Sequence, residues 1–161
     1  MDTPTNTEPK ITQRDEFLVM GTLTRIAPGT ESGEQFAAIW NGFEERREQI
    51  ESHSTDKKYY GVSFATSEAG RFDYVAGMAV TPVENIPDGL VVRQVPAATY
   101  AVFACPVQSI GQTYGYIFGE WRSNSRYQID NSAPSFEQYP PAADAQSPVL
   151  IHIPVRVNEP I

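Results

Sequence analysis

Apolar residues recur at helical spacing in two stretches of the chain, and strand-like patterns fill the intervals. Phe17–Ile26 (FLVMGTLTRI) is apolar at both parities, which predicts a strand buried on both faces. Phe36, Trp40, Phe43 and Ile50 then fall on one side of a helix over about 34–50, with Ile39 and Arg47 flanking. The other side is charged, and Ser32 is placed to cap the start. Tyr59–Thr66 alternates, with Tyr60, Val62 and Phe64 on one face and Tyr59, Gly61 and Ser63 on the other. Arg71–Val80 alternates too and groups Phe72, Tyr74, Ala76, Met78 and Val80, so the two segments predict a hairpin across SEAG.

The order then repeats. Leu90–Val107 reads as two short strands, or one bent strand, broken near Pro96. A second helix is predicted from about Ser109 to Ser123, striped by Ile110, Tyr114, Ile117, Phe118 and Trp121. The segment SAPSFEQYPPAAD reads as a proline-flanked strand edge, and PVLIHIPVRV closes the chain with Val149, Ile151, Ile153 and Val155 on one face. Two βαββ units with pseudo-two-fold symmetry follow. The expected class is α+β: an antiparallel sheet with two helices on one face and a ligand groove on the other. In this reading Glu137 and Tyr139 point into that groove, and Phe136 anchors the strand toward the helices. Residues 1–13 are polar and are expected to be a disordered lead-in to one domain over residues 14–158.

Composition narrows the function. The net charge is −8, and acids outnumber bases in both halves, so direct nucleic-acid contact is not expected. The single cysteine, Cys105, excludes an intramolecular disulfide and a multi-cysteine zinc cage. The start of the chain is not a signal peptide, and no apolar run approaches the ~18 residues of a membrane span. A soluble cytoplasmic protein without a metal or cofactor is expected. P-loop, HExxH, GxSxG and dinucleotide-binding glycine patterns are all missing from the sequence. His53 reads as loop surface, His152 as a structural histidine and Cys105 as a buried, inert thiol.

What is left is aromatic and acidic. Phe36, Trp40, Phe43 and Ile117 read as core. Tyr60, Tyr74, Tyr100, Trp121 and Tyr139 read as a pocket wall, because their polar atoms need partners. Phe64, Met78, Phe118 and Phe136 lie among them in the pattern, and Glu137 supplies the charge.

Several segments together resemble the GyrI-like small-molecule-binding family, the effector-binding domains of AraC-type and MerR-type bacterial activators. They are DYVAGMAV, VPAATYAVF, IFGEWRSNSRYQI, APSFEQYPP and VLIHIPV, within a resemblance that spans roughly residues 14–157. It implies a pseudo-two-fold domain that binds amphipathic, often cationic or aromatic, multidrug-type ligands. It also implies that Glu137 contacts the ligand, with Tyr74 and Trp121 at matching positions. The ligand-binding set is thus Glu137, Tyr74, Trp121, Tyr60, Phe64, Tyr100, Phe118, Tyr139 and Met78. No helix-turn-helix precedes the domain in this sequence, so a stand-alone version is expected.

Three functions remain open. The first is capture of a hydrophobic cation for sensing or sequestration, where a carboxylate walled by rings welcomes a positive charge. The second, implied by similar stand-alone members, is hydrolysis of cyclopropane-bearing genotoxic electrophiles with Glu137 and Tyr74 as catalytic residues. The third is inhibition of a topoisomerase through protein contact. A homodimer or a separate regulator protein stays open as a partner.

Overall fold

The computed structural model of the chain describes residues 8–27, 33–66, 71–141 and 146–157. Nine strands and the helices alternate along it: β1 (Lys10–Arg14), β2 (Phe17–Ile26), α1 (Gly33–Glu51), β3 (Tyr59–Ala65), β4 (Phe72–Val80), β5 (Val91–Val95), β6 (Ala98–Cys105), α2 (Ile110–Tyr116), α3 (Arg122–Asn124), β7 (Tyr127–Ile129), β8 (Ser135–Tyr139) and β9 (Val149–Val157). A π-helical stretch, Ile117–Trp121, joins α2 to α3, so the second helix continues past its first turns as the apolar stripe predicts. All the strand pairs are antiparallel. The proposed Ser32 cap and the SEAG turn lie outside the described residues.

Two elements depart from the sequence reading. Lys10–Arg14, whose first four residues are expected in the disordered lead-in, forms β1 and pairs with β6 from Lys10↔Val102 to Arg14↔Ala98. As an edge strand it is held by backbone hydrogen bonds and its side chains stay mostly exposed, so its polar sequence carries no strand signal. The short strand β7, on the outer part of β9, was likewise not anticipated.

The sheet runs β1-β6-β9-β8-β3-β4-β2-β5, with β7 beside β9. Its inner part is symmetric in plan. The unit β2-α1-β3-β4 contributes β2-β4-β3, the unit β6-α2-β8-β9 contributes β6-β9-β8, and the two meet where β3 pairs with β8. The register of that seam runs from Tyr59↔Tyr139 to Ser63↔Ser135 and centres on Gly61↔Glu137. This is the α+β architecture expected from two βαββ units.

Both helices pack on one face. Ile39, Phe43 and Ile50 of α1 cover Met20, Ala76 and Met78, and Ile117 and Trp121 cover Phe103, Ile151 and Ile153. The other face carries Val19, Tyr60, Val62, Val75, Tyr100 and Phe136, all fully buried.

The connection between β1 and β2 explains that burial. These strands stand six places apart in the sheet, yet only Asp15 and Glu16 join them. A flat sheet would separate them by about 29 Å, while Arg14 to Phe17 can span only ~10 Å. The sheet therefore curls until its ends meet over the far face. The Arg14 guanidinium closes the gap, lying over the rings of Phe17, Phe136 and Tyr60 at 4.5, 5.3 and 5.4 Å. The far face is thus a sealed second core and not the open groove expected. Phe136 faces that core, and Glu137, at the opposite parity, lies on the helix side.

Candidate ligand-binding site

Glu137 sits at the centre of the seam between the two halves, 7% exposed. Tyrosine hydroxyls from three elements converge on it. Tyr74 of β4 donates to Oε1 at 2.9 Å, and Tyr139, two residues along β8 on the same face, donates to Oε1 at 3.3 Å. Tyr114 of α2 donates to Oε2. Phe36 packs edge-on against Tyr74 at 5.1 Å, and Trp40 packs edge-on against Tyr139 at 5.2 Å.

Above this cluster opens a cleft of about 440 Å³ lined by Trp40, Phe43, Glu44, Tyr59, Val107 and Tyr139. A second hollow of about 450 Å³ shares Tyr59, Val107 and Tyr139 and extends toward Gln108 and Gln146. Tyr139 links the hollows to the cluster: it lines both of them, and its hydroxyl touches the buried carboxylate.

Burial pushes the Glu137 carboxyl above its ordinary range, and the hydrogen bonds from Tyr114, Tyr74 and Tyr139 pull it partly back. Burial, reinforced by the neighbouring carboxylate, raises Tyr74, Tyr114 and Tyr139 far above the ordinary phenol value, so all three remain protonated donors. Among the described residues, the ion pairs join Arg25 and Arg93 to Asp73 and Arg47 to Glu44 and Glu51; no Lys, Arg or His pairs with Glu137. A buried carboxylate with hydroxyl donors and no cation carries its charge at a cost.

Of the residues singled out in the sequence, Glu137, Tyr74 and Tyr139 come together here. Met78 shares their face but is fully buried in the core under α1. Phe118 is 39% exposed and stacks on Tyr114 at 6.1 Å, so it backs the site without touching Glu137.

The other four stand elsewhere. Tyr60, Phe64 and Tyr100 belong to the far-face core, because their parity is opposite to that of Glu137 in the paired register. Tyr60 donates to Asp56 at 2.6 Å and accepts from Arg14 at 2.8 Å. The Tyr100 hydroxyl is buried with no hydrogen-bond partner among the described residues. Trp121 packs edge-on against Phe103 at 5.1 Å and borders a separate cleft with Glu8, Tyr116 and Tyr127. It lies two helical turns beyond Tyr114, which carries it off the site.

Sequence reasoning missed Tyr114 and Trp40. Tyr114 was absorbed in the apolar stripe of the helix. The available signal was its hydroxyl, which a buried stripe position must satisfy. Trp40 was assigned to core, but its ring is half-buried and lines the cleft.

Among the described residues no cluster of three or more His, Cys, Asp or Glu could hold a metal ion. No helix of the described residues is long and apolar enough to cross a membrane.

A domain of this fold, with a carboxylate recessed at the seam of its two halves, belongs to the class of GyrI-like effector-binding domains. The chain is a member of the Cass2 family, the integron-associated effector binding proteins, whose model matches residues 10–155. It is 29% identical over 160 residues to the transcriptional regulator BrlR of Pseudomonas aeruginosa, covering 93% of this chain and 56% of BrlR. The chain thus spans little more than half the length of that relative. Solved structures that share the fold include the following two. SAV2435 bound to tetraphenylphosphonium matches with a TM-score of 0.76 and 17% identity, over 93% of this chain and 94% of that one. The Vibrio cholerae integron cassette protein VCH_CASS2 matches with a TM-score of 0.66 and 21% identity, over 92% and 96%.

Proposed function

We propose that the protein binds a hydrophobic aromatic cation in the cleft between α1 and the segment preceding α2, in a role of xenobiotic sensing or sequestration. The observation that carries this reading is Glu137: a 7%-exposed carboxylate whose neighbours are hydroxyls and rings, with no cation paired to it among the described residues. An incoming cation supplies the missing charge. Trp40, Tyr59 and Tyr139 supply ring contact, each cation–π pair contributing about 0.5–2 kcal/mol.

The hydroxyl cage also selects the kind of cation. Both carboxylate oxygens already accept hydrogen bonds, so a ligand without N–H donors, such as a phosphonium or a quaternary ammonium, leaves the cage intact. A primary ammonium would have to compete with the tyrosines while losing its own hydration. The tetraphenylphosphonium bound to SAV2435 is a cation of the first kind and supports the reading.

The test is a titration with tetraphenylphosphonium followed by the fluorescence of Trp40, in a Trp121→Phe background. Saturable quenching in that protein and its loss in Glu137→Gln is the expected result. Equal affinity in the two proteins would sink the proposal.

The hydrolase reading uses the same Glu137–Tyr74 pair. The arrangement favours it less, since burial keeps the tyrosine protonated and both carboxylate oxygens are engaged. Product analysis after incubation with a cyclopropane electrophile separates the two. No feature of the described residues speaks for topoisomerase inhibition.

A further inference from the structure

Tyr74 and Glu137 stand on β4 and β8, with β3 between them. Two strand spacings, about 10 Å, separate their backbones. Tyr74 is in register with Ser63 of β3, and Glu137 with Gly61. To reach the carboxylate, the Tyr74 side chain must cross β3 obliquely, over residue 61. A Cβ built on Gly61 would lie 1.9 Å from the Tyr74 hydroxyl oxygen, 2.6 Å from the ring carbon bearing it and 2.8 Å from Glu137 Oε1. No side chain fits there while the hydrogen bond stands. The three nearest atoms are all side-chain atoms of the pair itself, so the obstruction falls first on the pair.

We propose that Gly61 is a positioning residue of the site: its missing side chain is the lane through which Tyr74 reaches Glu137, and any larger residue would detach the donor from the carboxylate. The seam makes this a division of labour. Its two central positions carry a carboxylate on one strand and a vacancy on the other, which breaks the symmetry of the two halves at their meeting point. The link to ligand affinity rests on the cation-binding reading above; the link to the hydrogen bond does not.

Two measurements test it. The first is NMR titration of the isotope-labelled Glu137 carboxyl, without ligand. In Gly61→Ala the Glu137 carboxyl should titrate at higher pH than in the wild type, in the same direction as in Tyr74→Phe, because a donor that favours the charged form is lost. An unchanged titration in a folded Gly61→Ala protein overturns the proposal. The second is a double-mutant cycle with Tyr74→Leu, which removes the obstructing end of the ring. Gly61→Ala alone should weaken tetraphenylphosphonium binding about tenfold. In the Tyr74→Leu background its further effect on affinity and on the urea midpoint should be much smaller, because only the contact with Glu137 Oε1 remains. Equal losses in both backgrounds overturn the proposal.

The cycle also covers a failure to fold. If Gly61→Ala does not fold and the double variant does, the obstruction is the Tyr74 ring, as proposed. If neither folds while Tyr74→Leu does, residue 61 meets something else and the proposal fails. Should no variant or wild type bind the cation while the Glu137 titration still shifts, the ligand reading fails and the positioning role stands.

Discussion

The hydroxyl of Tyr114 on α2 donates to Oε2 of Glu137 on β8, while Tyr74 of the first half donates to Oε1. One carboxylate thus ties the second helix to the seam and both halves of the domain to each other.

Removing the Tyr114 hydroxyl leaves one carboxylate oxygen short of a donor in a buried place. Tyr114→Phe should therefore cost about 1–3 kcal/mol of stability, read from urea denaturation. The Glu137 carboxyl, already raised by burial, should rise further because a hydrogen bond to its charged form is gone. Tetraphenylphosphonium affinity measured by calorimetry should fall most at and below the pH at which Glu137 titrates. An unaltered affinity at every pH would show that Tyr114 only covers the site.

The pH dependence of the Glu137 contribution has a definite sign. Its folded value lies above the ordinary 4.5, so the folded protein holds this proton more tightly than the unfolded chain does. The stability it brings is complete below that ordinary value and is lost as pH rises through the folded one. The stability of Glu137→Gln relative to wild type should consequently increase as pH is raised from 4 to 8, by thermal melting. The same variant should lose cation binding. A carboxylate kept at a cost to the fold is what a binding site requires, and a Glu137→Gln stability that did not rise relative to wild type with pH would contradict it. Cation affinity of the wild type should climb with pH through the Glu137 titration and then level.

Much of the fold could be read from the chain because alternation and helical spacing are local. β2, α1, β3, β4, β6 and β9 appear where their patterns place them. Parity within β8 correctly separated Phe136 from Glu137 and Tyr139. What parity could not supply was the absolute face. That depends on the β3–β8 and β8–β9 registers and on the way β1 and β2 draw the sheet around the far face. Tyr60 and Tyr100 were misplaced for this reason: strand patterns look alike on an open concave face and in a sealed aromatic core. Lys10–Arg14 was invisible because an edge strand needs no apolar side chains, although it carries the Arg14 guanidinium that closes that core. Tyr114 was hidden by its place in a helical stripe, where only its hydroxyl distinguished it from filler.

His152 offers a check on the far-face core. Its ring stacks on Phe136 at 4.2 Å, meets Tyr100 edge-on at 5.6 Å and hydrogen-bonds through Nδ1 to the carbonyl of Leu150. Burial lowers its value to about 4, against the carbonyl contact that favours the proton and together with the positive charges of Arg14 and Lys58. The unfolded chain takes up the proton first, so the stability held by neutral His152 is present above pH 6.5 and drains away toward pH 4. The loss amounts to ~3 kcal/mol. In His152→Asn the stability difference from wild type should shrink across that window, measured by urea midpoints at successive pH values. A difference that stays constant with pH would mean the ring is solvated.

Arg14 separates the two faces in function. Its guanidinium donates to Gln138 Oε1 at 2.7 Å and to the Tyr60 hydroxyl at 2.8 Å while lying over three rings. Arg14→Met keeps an apolar stem of similar length and removes the charge and both donors. The acceptor on Gln138 is then left short in a largely apolar place, and the clasp between β1 and the middle of the sheet is loosened. A loss of about 1–3 kcal/mol is expected in urea denaturation. Gln138 adjoins Glu137 in β8, but their side chains point to opposite faces, so the strand transmits little of this change as long as its register with β3 and β9 is kept. Tetraphenylphosphonium affinity in the folded variant should stay within about twofold of wild type, a bound set by the near-additivity of changes that share no partners. A tenfold fall would instead mean that the clasp governs where β8 places its carboxylate, and that the second core is part of the binding machinery.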